Sequence, residues 1–244
     1  MSRGGAVTAP SLAAQRAILV GAMAVTTAAS WLYVIRSGAG MMGGPHHEVL
    51  VAVPVWAAMM TGMMLPGAAP MFAVYVRVNA RNGGEWRPVA AFALAYVALW
   101  VAVSALGAWL QEWSVRVGLL SQMGVSTRPL VSAALLVLAG VYQFSPLKQA
   151  CLRRCRTPLG FLLTEWRPGV SGALKLGCLH GVECILCCWA LMALMFVLGT
   201  MNLLWMAALA LLMLVEKLAP AGQIVGRWAG ALFIGWGVAL AAAG

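Results

Sequence analysis

From residue 16 to residue 243 the chain is a succession of apolar runs, parted by short breaks of glycine, proline and charge. A hydrocarbon core about 30 Å thick is crossed by roughly 20 helical residues. Lipid offers no partner to a backbone N–H or C=O, so such runs fold as helices that satisfy their own hydrogen bonds. Of the 244 residues, 63% are hydrophobic and 9% charged, more apolar than a soluble core of this size requires. The expected fold is all-α: a polytopic membrane helix bundle, one integral domain over residues 1–244, with residues 1–15 as a flexible N-terminal tail.

Hydropathy fits about seven spans, at 16–37, 49–77, 88–111, 129–147, 171–198, 201–218 and 222–243. Between them fall Gly43-Gly44-Pro45, Gly83-Gly84, Pro168-Gly169 and Pro220-Ala221-Gly222, where helices stop. The first run has no convincing cleavage site and further spans follow it, so it reads as a retained helix. With seven spans, thirteen Lys and Arg fall on one side and three, Arg36, Arg116 and Arg128, on the other. That bias predicts a cytoplasmic N-terminus and an outside C-terminus. The net charge of +10 then records topology, and no nucleic acid partner is expected; the lipid bilayer is. Six cysteines in and beside membrane helices are not a secreted disulfide framework.

Reactive residues interrupt the apolar pattern in few places. The fifth span carries His180-Gly-Val-Glu183-Cys184-Ile-Leu-Cys187-Cys188-Trp189. At about 100° per residue, His180, Glu183, Cys184 and Cys187 share a sector of about 100°, with Cys188 at its margin and Cys178 pointing away. Ionisable groups in lipid are costly and read as functional by default. Thiolates favour Cu(I) and zinc, and imidazole suits both metals. A metal would also deprotonate a thiol that an apolar setting otherwise keeps protonated. Cys184, Cys187 and His180 are the expected inner ligands, with Cys188 and Glu183 beside them.

The second span carries Trp56-Ala-Ala-Met59-Met60-Thr-Gly-Met63-Met64-Leu-Pro66, which puts four thioethers on one side of a helix. Thioether sulfur binds Cu(I) without losing a proton, although Met also fills irregular cores. Pro66 and Pro70 are expected to kink or loosen this helix. The predicted outer loop holds Met41, Met42, His46, His47 and Glu48, and the predicted inner loop holds Cys151 and Cys155 among Arg153, Arg154 and Arg156. Soft ligands thus form four stations, from outer loop through spans two and five to inner loop. The two middle stations meet only if those spans pack together. Glu216-Lys217 closes span six and is expected to pair or to snorkel to the interface. Glu112 and Arg116 stand at i, i+4, and Gly226 with Gly230 offers a small-residue face for helix contact.

Several motifs are specific when taken jointly. They are Met59-Met60-x-x-Met63-Met64-Leu65-Pro66, Tyr142-Gln-Phe-Ser-Pro-Leu-Lys148 with Cys151 and Cys155, Cys184-x-x-Cys187-Cys188-Trp189-Ala-Leu-Met192, Met201-Asn-Leu-Leu-Trp-Met206, and Glu216-Lys217. On these residues the chain resembles a bacterial family of predicted metal-binding integral membrane proteins, a domain of unknown function, over roughly residues 50 to 235. It departs from the family pattern at Leu186, where glycine is common, and at Glu183, where an aromatic residue is common. The resemblance implies metal binding by a multi-pass protein of the bacterial inner (cytoplasmic) membrane.

Three functions compete. The first is the handling of a copper ion, with zinc as the alternative, through membrane Cys, His and Met. Its expected partners are a metallochaperone or a membrane metalloenzyme, with a homo-oligomer as a further assembly. The chain has no Walker A sequence and no aspartyl-phosphate motif, so ATP-driven pumping by this chain alone is not expected. The second is a membrane thiol–disulfide oxidoreductase using the CxxC at Cys184 to Cys187, although a reactive CxxC wants an exposed, electropositive thiol. The third is a structural or assembly subunit whose clusters only pack. Metal handling best accounts for thiols, imidazole and carboxylate on one helix face, and it does not require the chain to be an enzyme.

Overall fold

The computed structural model describes residues 12–41, 49–121, 124–200 and 202–243. These form α1 (Leu12–Met41), α2 (Val49–Arg81), α3 (Trp86–Arg116), α4 (Pro129–Gln143) and α5 (Pro146–Arg156). There follow α6 (Pro158–Glu165), α7 (Gly169–Ala193), α8 (Met195–Leu198), α9 (Leu203–Leu218) and α10 (Gly222–Ala243). The fold is all-α. Among the described residues the only strand-like pairing is one isolated bridge, Leu120 to Ser126.

Each of the seven apolar runs has a helix, but not all are of spanning length. Five elements are long and apolar enough to cross a membrane: α1, α2, α3, α7 with α8, and α10. The fourth run supplies only the 15 residues of α4, which meets α5 at 60°. The sixth supplies the 16 residues of α9. Residues 148–170, expected as an inner loop, instead carry most of α5 and the whole of α6. The cationic residues of α5 depress its hydropathy, yet Lys148, Cys151, Leu152 and Cys155 form one buried face at i, i+3, i+4 and i+7. The Ser145 side chain accepts the Lys148 backbone N–H at 3.1 Å, and Pro146 occupies the first turn. A capped start with proline inside it begins a new helix rather than extending α4.

The outside of the bundle is apolar, with Leu50, Leu163, Leu204, Trp228 and Leu232 exposed, whereas Lys148, Glu216, Lys217, His180 and Gln143 are buried. This inverts the soluble pattern and suits a hydrocarbon surrounding. Helix α3 packs along both α2 and α7, α10 packs on α4, and α5 lies on α7 and against the end of α9. Helix α2 stays helical through Pro54, Pro66 and Pro70; no break follows from the lost backbone donors.

Helices α3 and α7 come close because α7 presents glycine to its neighbour. A Cβ at Gly177 would stand 2.5 Å from the Phe92 carbonyl oxygen, and one at Gly181 would stand 2.6 Å from Leu99 Cδ2. The two glycines are i, i+4, the small-xxx-small spacing that lets helices pack backbone to backbone. The expected pair on α10 also packs, with Gly230 against the Gly140 carbonyl of α4. Gly177→Ala is expected to lower stability by about 1–3 kcal/mol, the usual cost of overpacking. Thermal unfolding in detergent checks this against Gly235→Ala, where a Cβ meets nothing within 4 Å and no loss is expected.

Candidate metal centre

Helix α7 turns His180, Glu183, Cys184, Cys187 and Cys188 inward, while Cys178 is exposed. The glycine contact carries Tyr96 of α3 up to this face. Its hydroxyl lies 3.4 Å from Cys184 Sγ and 3.5 Å from the Met64 carbonyl oxygen. Met64 of α2 brings its Sδ to 3.8 Å from Cys188 Sγ. Lys217 of α9 donates to Cys184 Sγ at 3.0 Å, and its Nζ is 3.7 Å from Met64 Sδ. Spans two and five therefore meet, at Met64 and Cys188. The thiols of Cys187 and Cys188 donate to the Cys184 carbonyl at 3.1 and 2.9 Å, which holds their rotamers. Cys155 of α5 and Cys187 are both buried where α5 packs on α7. All six cysteines are free.

The remaining expected ligands are placed differently. Glu183 Oε1 is 2.5 Å from the Arg154 guanidinium, which also lies 3.9 Å from Glu165; the carboxylate balances a neighbouring cation. His180 sits among the rings of Tyr96, Phe161 and Phe92, at centroid distances of 5.4, 6.1 and 6.3 Å. Neither of its nitrogens has a hydrogen-bond partner among the described residues. Met59 lines a small cavity with Ser30 and Trp31 of α1 and Met206 of α9, and Met60 and Met63 are buried in the core. Cys151 and Cys155 lie on the buried face of α5 rather than on a solvent-facing loop. His46 and His47, with Met42 and Glu48, lie outside the described residues. Among the described residues no three of His, Cys, Asp and Glu are grouped to hold a metal ion. What converges instead is a mixed set of thiols and one thioether.

The residue that sequence reading missed is Lys217. It neither snorkels nor pairs with Glu216. Glu216 Oε2 is 2.7 Å from Lys148 Nζ, with these side chains 3% and 2% exposed. Lys148 also donates to Gln143 Oε1. Arg156 donates to the carbonyls of Glu216 and Ala219, at 3.2 and 2.7 Å, and so closes the C-terminus of α9. Neighbouring residues on a helix do not face one another, and that spacing was the available signal that Glu216 and Lys217 go separate ways.

Residues 53–240 match the family model PpoB2, described as a copper chaperone. The chain belongs to that family. No curated protein and no solved structure matches it.

Breaking a buried ion pair strands its partner's charge, at a cost of about 3–5 kcal/mol. Lys148→Met is expected to lose that much stability, and Lys148→Met with Glu216→Leu to recover most of it. Chemical denaturation in detergent, compared across the three proteins, measures both.

Proposed function

We propose that this member of the copper chaperone family carries Cu(I) as cargo inside a membrane-embedded helix bundle and hands it to a partner protein. The observation that carries the proposal is the meeting of Met64 Sδ with Cys188 Sγ at 3.8 Å, beside Cys184. Thiolate and thioether are the soft donors that select Cu(I), and two helices distant in sequence have brought them together. In this reading Cys184, Cys188 and Met64 hold the ion. Cys187 and Cys155 are the next thiols outward, towards the arginines of α5. Cys155, expected on an inner loop, is buried on α5 where that helix packs on α7, which supports its place beside the central station. His180, with two unpaired nitrogens in an aromatic surround, stands ready as a further donor. The ion leaves to a metallochaperone or a membrane metalloenzyme. The chain sits in the bacterial inner membrane with its N-terminus in the cytoplasm, as the distribution of Lys and Arg favours.

One observation favours thiol–disulfide exchange as a second reading. Cys155 of α5 and Cys187 of α7 are both buried where those helices pack, so a dithiol between helices, 155–187, is an alternative to the CxxC. A disulfide that forms and reduces reversibly between those positions, mapped by mass spectrometry, would favour it.

Metal content of detergent-purified protein tests the copper reading. Wild type grown with copper is expected to hold about one ion per chain. Cys184→Ser with Cys188→Ser is expected to lose it, and Met64→Leu to weaken binding by roughly tenfold or more, as removal of a soft donor should. Met59→Leu, which alters a side chain away from the thiols, is expected to leave it unchanged. Copper retained in the double serine variant would refute the site.

A further inference from the structure

Two lysines are buried in the bundle, and only one of them has a carboxylate partner among the described residues. Lys148 is paired with Glu216, and Arg154 with Glu183 and Glu165. Lys217 has no carboxylate within salt-bridge distance among the described residues, and its Nζ contacts are Cys184 Sγ and Met64 Sδ. It is 6% exposed, so water does not screen it. The fold makes room for it: a Cβ at Gly67 of α2 would stand 2.9 Å from Lys217 Cδ, so the stem crosses α2 where a glycine leaves a gap. The ammonium is built into the site.

From this arrangement we infer that Lys217 determines the charge of the ion the site accepts, admitting a monovalent soft cation and rejecting a divalent one. The inference rests on the sulfur-site reading above. A metal-bound thiol is a thiolate, so Cys184 and Cys188 contribute two negative charges. The Lys217 ammonium returns one positive charge. One further positive charge makes the buried group neutral, and Cu(I) or Ag(I) supplies it. Zn(II) or Cd(II), equally acceptable to thiolates, would leave a net positive charge in an apolar interior where no carboxylate remains to balance it, and an unbalanced buried charge is costly. Selectivity of this kind works by penalising the wrong ion. It separates copper from zinc, which the donor atoms alone do not.

Removing the ammonium reverses the balance, because two thiolates then match a divalent ion. The test uses the full chain in detergent, wild type, Lys217→Met, Lys217→Gln and Lys217→Arg. Each is titrated with Cu(I) under reducing conditions, Ag(I), Zn(II) and Cd(II) against chromophoric competitors. Wild type is expected to prefer the monovalent ions. Lys217→Met and Lys217→Gln are expected to lower the monovalent-to-divalent affinity ratio by about 100-fold, each charge mismatch amounting to roughly tenfold or more in affinity. Lys217→Arg keeps the charge and is expected to hold the ratio within about threefold. A structural role alone would weaken all four ions together and leave the ratio unmoved. Gel filtration identifies a variant that does not fold, and the Gln variant, which keeps a donor to Cys184, decides if the Met variant is lost. An unchanged ratio, with copper still lost in the double serine variant, overturns this inference alone. Copper retained by the double serine variant overturns the sulfur site and this inference with it.

Discussion

A buried ammonium needs a counter-charge, and the arrangement of this bundle's interior follows from how few are available. The chain has no aspartate and six glutamates. Glu112 is bound to Arg116, Glu183 to Arg154, and Glu216 to Lys148. Lys217 is left to sulfur. Its position depends on Glu216 being held elsewhere, because α9 cannot turn both residues towards one partner. The pair between α5 and α9 therefore orients the lysine as well as joining two helices. Arg156, bound to the last carbonyls of α9, fixes the height at which that helix stops.

The sulfur atoms meet because backbones meet. Gly177 and Gly181 let α3 lie against α7, and that contact sets Tyr96 between Cys184 and the Met64 carbonyl. Apolar side chains gain little from one another in lipid, so shape and polar contacts decide which helices associate. Here the small residues of α7 and α10 supply the shape. The Tyr142 hydroxyl, which donates to the Leu186 carbonyl at 2.5 Å, adds a polar tie between α4 and α7.

Much of this was legible in the sequence, and what was not has physical causes. Apolar length gave α2 to within a turn of its end and the run of α7, and periodicity placed Cys184 and Cys187 inward and Cys178 outward. Periodicity reports which face of a helix a residue occupies but not which neighbour that face meets. Four methionines on α2 looked equivalent, yet Met64 reaches a thiol while Met59 faces α1 and α9. Glu183 shares the face of the cysteines, which is why it is expected beside the metal; its guanidinium partner comes from α5, a helix that hydropathy conceals. Lys217 looked like an interfacial residue because it ends a span, and the glycine that lets it turn inward lies 150 residues earlier in the chain.

The single buried face of α5 has one more consequence. It carries Lys148 near one end and Cys155 near the other, with Cys151 and Leu152 between. The helix covers the thiols of α7 and at the same time holds the ion pair to α9. Lifting α5 to uncover Cys187 would draw Lys148 away from Glu216 in the same motion, so the cover resists partial opening.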